Sequence, residues 1–156
     1  MKRITYWPQL FLGITFNYGL VLAWISIANE ISSVALVFYF GAIFWTLGYD
    51  TIYGYQDIKD DEIIGIKSTS IKFKEYPKKF LMIAYFIFFT SLFSVGLLME
   101  FNLFYFIFLL IPLYHLLIIQ IFNFKKDDEK NCLKIFKSNN LLGLIILINI
   151  FVGKLY

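Results

Sequence analysis

Long apolar runs separated by short polar breaks make up most of this chain, and a helix needs ~20 such residues to cross a bilayer. Hydropathy alone gives five candidate spans. They run from about Pro8 to Ala28, over residues 31–55, from Phe80 to Met99, from Phe101 to Phe124, and from Asn139 or Asn140 to about Val152. Asn29 and Glu30 make a tight exit from the first, and Ser32 or Ser33 is placed to restart a helix as an N-cap. Pro112 is expected to kink the fourth, because proline deletes a backbone hydrogen bond and clashes with the preceding turn. The pattern predicts an all-α, multi-pass transmembrane helical bundle of about five helices, forming one domain over residues 1–156.

The second run is unusual in how it ends. Ile31 to Tyr49 holds 19 residues without a charge, and acid follows at once. If the helix continues, each residue turns it by ~100°, so Asp50, Asp57 and Asp61 fall within about 40° of one another, with Gly54 on the same stripe. Like charges crowded at a membrane boundary raise one another's pKa unless a cation lies among them. Hard oxygen ligands that leave part of a cation's shell to water and phosphate describe Mg²⁺, so the stripe reads as a metal-diphosphate site. Asp60 and Glu62 point elsewhere and read as solvated.

Composition excludes a water-soluble domain: of 156 residues, 60% are hydrophobic, 21% aromatic and only 16% charged. Charge distribution predicts orientation. All Lys and Arg except Lys154 fall in the N-terminal segment (Lys2, Arg3), between Gln56 and Lys79, or between Lys125 and Lys137. Cytoplasmic loops hold the excess of such residues, which puts the N-terminus and the acidic stretch on the cytoplasmic side, in a bacterial inner membrane. The first apolar run lacks a small-residue cleavage site and reads as a retained span. The single cysteine, Cys132, can form no internal disulfide. There is no Cys/His cluster of zinc type, no G-x-G-x-x-G and no basic-aromatic nucleic-acid surface, and the Gly65-Ile66-Lys67-Ser68 stretch lacks P-loop spacing.

The stretch Y-D-T-x-Y-x-x-x-D-x-x-D-D-x-x-x-G-I-K-S-T, from Tyr49 to Thr69, resembles the second aspartate-rich motif of the 4-hydroxybenzoate polyprenyltransferases of the UbiA superfamily. Lys2 to Gln9, K-R-x-T-x-x-P-Q, is similar to a segment that in this family lies just before the fifth of nine helices. The resemblance covers the whole chain but about the C-terminal half of the family pattern. The first motif, N-D-x-x-D-x-x-x-D, has no counterpart. It implies an integral membrane enzyme of ubiquinone biosynthesis that moves a polyprenyl group from its diphosphate onto 4-hydroxybenzoate. A companion chain would then supply the earlier helices, or the chain is an inactive truncated fragment.

By that resemblance the D-x-x-x-D pair falls on Asp57 and Asp61, the expected Mg²⁺ ligands, with Asp50 and Tyr53 as the preceding catalytic members of the pattern. Asp50 is a third ligand or an acceptor for the aromatic substrate, and the Tyr53 ring can stabilise a carbocation. Arg3 and Lys67 are candidate diphosphate clamps, the former for its planar fork; the alternative for both is a basic edge that meets lipid headgroups. A cation or proton carrier using Asp50 as a relay is a third reading, for which the spans offer only the isolated polar groups Gln9, Asn17, His115 and Gln120. Gln9 and Asn17 are expected to face inward, and His115 to be hydrogen-bonded inside the bundle.

Overall fold

A computed structural model describes residues 2–155, and all regular structure among them is helical. Five helical segments are long and apolar enough to cross a membrane: α1 (Pro8–Ala28), α2 (Ser33–Tyr53), α5 (Pro77–Leu98), the composite fourth span (Leu103–Phe122) and α8 (Glu129–Lys154). Two short helices, α3 (Ile58–Ile64) and α4 (Thr69–Lys72), lie between α2 and α5. Ser32 caps α2, its hydroxyl accepting from the Ala35 amide at 3.2 Å. The fold is an all-α, multi-pass membrane bundle, as the hydropathy pattern predicts.

Successive spans alternate in direction, so the connecting segments gather at two ends. At one end the Lys67 amide donates to the Lys2 carbonyl (2.6 Å), Lys126 Nζ to the Lys74 carbonyl (3.2 Å) and Gln56 Nε2 to the Glu129 carbonyl (3.3 Å). At the other, Asn102 Nδ2 donates to the Val152 carbonyl at 2.8 Å.

Central to the bundle is α2, which packs against α1, α5 and α8. Lipid tails are as apolar as leucine, so close packing and hydrogen bonds, rather than hydrophobicity, must join the helices. Small residues of α2 let its neighbours approach: a Cβ on Gly48 would overlap the ring of Tyr85. Phe88 stacks on Trp45 with centroids 5.1 Å apart, and Trp45 Nε1 donates to Asn139 Oδ1 of α8 at 2.9 Å. Tyr85 Oη donates to Gln120 Oε1 (3.0 Å), whose amide nitrogen reaches the Ile135 carbonyl and Ser138 Oγ. These ties unite α2, α5, the fourth span and α8. Phe16, Phe86 and Phe151 stay 68%, 67% and 64% exposed, as lipid-facing side chains should.

The fourth span runs as one helical span from Leu103 to Phe122 but is irregular around Pro112, dividing into α6 (Leu103–Phe108), α7 (Leu110–Tyr114) and a π-helical segment (His115–Phe122). The break at Leu109 lies just past Phe108, whose carbonyl the Pro112 ring would meet. Two expectations need correction. The last helix begins at Glu129, ten residues before the apolar run: Asp128 caps it, accepting from the Asn131 amide at 3.0 Å. Its first turns bury only Cys132 and Ile135 and expose Lys130, Lys134 and Lys137, a pattern a hydropathy window averages away. Finally, His115 is buried with no hydrogen-bond partner at either ring nitrogen. Since an unmatched buried polar group costs about 1–3 kcal/mol, His115→Leu should leave stability unchanged or raise it by about 1 kcal/mol in an SDS unfolding titration.

Candidate functional site

The helix carrying the acids does not continue from Tyr49 through Asp61. It stops at Tyr53, where the Gly54 amide closes the last turn on the Asp50 carbonyl at 3.0 Å. Two tight turns follow, with the Tyr55 amide on the Ile52 carbonyl (3.2 Å) and the Gln56 amide on the Tyr53 carbonyl (3.0 Å). They are pinned by Tyr55, fully buried against Phe124 at 5.3 Å and donating through its hydroxyl to the Phe73 carbonyl at 3.2 Å. The chain then re-enters a helix, α3, with Asp57 at its N-cap position.

Asp57 does not use its carboxylate as a cap, although aspartate at that position commonly does. Asp57 is exposed and lines a cavity of about 310 Å³ with Asp50, Tyr53, Gly54, Asp61, Lys2 and the start of α1. The three carboxylates therefore converge, by a turn rather than by one helical stripe. Asp61 lies one turn beyond Asp57, its side chain 13% exposed, and Lys2 Nζ stands 4.0 Å from its Oδ2. Three acidic residues and one lysine thus line the same cavity, an excess of negative charge that an additional cation would offset.

Gly54 is the meeting point of the site's walls. A Cβ there would overlap Ser70 Oγ and approach Gln9 Nε2 to 3.4 Å. Around it the Gly65–Ser70 segment is latched down: the Thr69 amide donates to Gln9 Oε1 (3.0 Å), Thr51 and Thr69 share a hydroxyl hydrogen bond (2.7 Å), and Ser70 Oγ donates to the Thr51 carbonyl (2.8 Å). Gln9 holds this latch with its oxygen while its side chain lines the cavity. Gly54→Ala should cost about 1–3 kcal/mol, the usual penalty of overpacking. Adding Ser70→Gly should recover part of it in a double-mutant cycle of unfolding free energies.

Of the residues singled out in the sequence, Asp50, Tyr53, Asp57 and Asp61 are brought together; Arg3 and Lys67 are not among them. Arg3 is exposed. Lys67 donates from Nζ to the Ile4 carbonyl at 3.4 Å and lies 5.6 Å from the Tyr6 ring centroid. Ser68 is spent as the N-cap of α4, accepting from the Ile71 amide at 3.3 Å, and is buried with Thr69. Its segment is therefore held behind the cavity's lining, against Gln9, Thr51 and Gly54. Lys2 was the cation to find; the K-R pair that drew attention to Arg3 begins with it, and only the turn over residues 2–4 decides which of the two faces the acids. Tyr53 packs against Phe136 of α8 with centroids 4.7 Å apart. Asn17 lies away from the acids, beside a second cavity of about 360 Å³ with Trp45, Thr46 and Tyr49, and its Nδ2 donates to Thr46 Oγ1 at 2.8 Å.

The donors fit Mg²⁺ as part of a site. They are hard oxygens, Asp57 and Asp61 are one helical turn apart, and Mg²⁺ is usually held by one or two carboxylates with water and substrate phosphate completing its shell. Among the described residues no three Asp, Glu, His or Cys side chains come close enough to enclose a metal by themselves.

The UbiA prenyltransferase family pattern matches residues 1–147. The chain is similar to the mitochondrial 4-hydroxybenzoate polyprenyltransferase of Bos taurus, 43% identical over 165 residues that cover 99% of this chain and 42% of that protein. It is 41% identical to the Homo sapiens protein of the same name, covering 100% of this chain and 42% of the relative. With the 4-hydroxybenzoate geranyltransferase 2 of Lithospermum erythrorhizon it shares 39% identity over 100% of this chain and 51% of the relative. The chain thus spans about half the length, or less, of these relatives. No solved structure matches it. With the family pattern running through nearly all of the five-span bundle and through both ends of the acidic cavity, the chain belongs to the UbiA prenyltransferase family.

Proposed function

We propose that this chain forms the part of a 4-hydroxybenzoate polyprenyltransferase of ubiquinone biosynthesis that holds one Mg²⁺ and the acceptor side of the reaction. The observation that carries the reading is the convergence of Asp50, Asp57 and Asp61 on one cavity beside Lys2, where α1 begins and α2 ends. The family and the printed names of the relatives supply the reaction class.

In the transfer, the C–O bond between the prenyl carbon and the diphosphate breaks, a ring carbon of the acceptor bonds to the allylic carbon, and the ring proton leaves. Bound Mg²⁺ would supply charge neutralisation at the leaving diphosphate. Asp57 and Asp61 hold that ion, and Lys2 donates to a diphosphate oxygen. Arg3 and Lys67, outside the cavity lining, would have to move toward it to clamp the diphosphate. Tyr53, braced by Phe136, presents its ring to the allylic cation. Asp50 takes the proton lost from the ring. A complete site needs further ligands, which belong to the remaining length that the relatives possess, in the same polypeptide or in a companion chain.

The basic end of the bundle is assigned to the cytoplasmic side of a bacterial inner membrane; the mammalian relatives are named mitochondrial, so the membrane that holds the tagged chain in its own cells decides between the two. The activity test is transfer of labelled polyprenyl diphosphate to 4-hydroxybenzoate in membranes containing this chain, alone and together with the preceding part of the bovine relative, with and without Mg²⁺. Metal-dependent product in either case supports the proposal. Its absence in both leaves the reading of an inactive fragment.

A further inference from the structure

A cavity larger than the acidic one lies outside that site. It is a groove of about 730 Å³ between the segment entering α5 and the segment leaving the fourth span, with Lys78, Lys79, Lys125 and Lys126 along it. Pro77 and Phe124 form its apolar floor, and Phe124 is itself buried against Tyr55. Because α5 starts at Pro77 and the fourth span ends at Phe122, the groove sits at the adjoining ends of two helices long and apolar enough to cross a membrane. Tyr76 and Phe122, 60% and 74% exposed, flank it as interfacial aromatics do.

Its cations are held open. Lys78 Nζ donates to the Phe122 carbonyl at 3.0 Å and Lys126 Nζ to the Lys74 carbonyl at 3.2 Å, which ties the two segments together while leaving each ammonium with unused donors. Glu75, Asp127 and Asp128 share the groove, yet among the described residues none of them pairs with its lysines. Asp128 is committed to capping α8.

We propose that this groove is a binding site for an anionic phospholipid of the surrounding bilayer, its phosphate among the four lysines, its acyl chains along the apolar floor, and its headgroup hydroxyls donating to Glu75 and Asp127. Basic pockets at the ends of membrane helices recognise anionic headgroups in this way. A free phosphate would leave the apolar floor and the interfacial position unused. The site stands apart from prenyl transfer and does not depend on it.

The test is native mass spectrometry of the purified chain in non-ionic detergent with equimolar dioleoyl phosphatidylglycerol and phosphatidylcholine. Phosphatidylglycerol should bind about tenfold tighter or more. Lys79→Gln with Lys125→Gln spares the two carbonyl ties and should remove most of that preference, roughly fivefold per lysine. The matched control Lys130→Gln with Lys134→Gln, on α8 outside the groove, should keep it. Glycerol phosphate at the same concentration should not displace the lipid. Equal binding of the two lipids, equal loss in the control, or displacement by glycerol phosphate would overturn the proposal.

Discussion

Asp57→Asn is expected to lower prenyl transfer by about 10²–10³-fold, the usual loss when one preorganised electrostatic contact to a leaving group is removed. Asn keeps the size of the side chain and its position at the head of α3, where the native carboxylate makes no capping bond that the change could break. The effect should therefore fall on the ion and not on the fold. Two readouts separate these: the Mg²⁺ concentration for half-maximal rate should rise steeply, while the SDS unfolding midpoint stays within error of the parent. Asp61→Asn should act in the same direction, and its loss is expected to be smaller where Lys2, freed from its 4.0 Å partner, reaches the diphosphate more readily. An Asp57→Asn enzyme with unchanged rate and unchanged metal dependence would sink the assignment of this carboxylate as a ligand.

Phe88→Ala is expected to destabilise the bundle by about 3–5 kcal/mol, the range for emptying a buried aromatic position. Phe88 is fully buried and stacks on Trp45, the α2 residue that is hydrogen-bonded to Asn139 of α8. Its removal leaves a void on one face of Trp45 and loosens α5, α2 and α8 together. In lipid no solvent drives the gap closed, so packing loss is felt directly. An SDS titration followed by circular dichroism reads the change. Phe88→Leu, which fills most of the space, should cost far less. Equal costs for the two would show that the position is not close-packed. The acidic cavity should suffer in turn, because Tyr53 is braced by Phe136 on that same α8.

Legibility in the sequence followed physical range. Uninterrupted apolar length is a local property, and it gave the five spans; the Ser32 cap and the trouble at Pro112 are local too. The grouping of Asp50, Asp57 and Asp61 was also anticipated, though by a continuous helix that the structure breaks at Gly54. The outcome survives because the turn after Tyr53 brings Asp57 and Asp61 to the same cavity, a result of where Tyr55 is buried rather than of helical periodicity. Choosing between Lys2 and Arg3 could not be done from the motif, since both belong to it and adjacent residues in a turn point apart. Lys67 shows the converse: a residue of the recognised motif whose segment is engaged in latching the chain to Gln9 and Thr51.

What the sequence determined by itself was class, span number, the position of the acids at the end of the second apolar run, and the family. Each is written in composition, run length or contiguous pattern, and none needs two distant segments to meet. The tertiary structure alone decided which cation lines the cavity with the carboxylates, that the Gly65–Ser70 segment is latched to Gln9 and Thr51, that His115 is left without a partner while Gln120 joins three helices, and that four lysines from two separate segments border one groove. The reason is the same in every case. These features are contacts between segments 15 to 60 residues apart, and whether such segments meet is fixed by how closely the helices can pack.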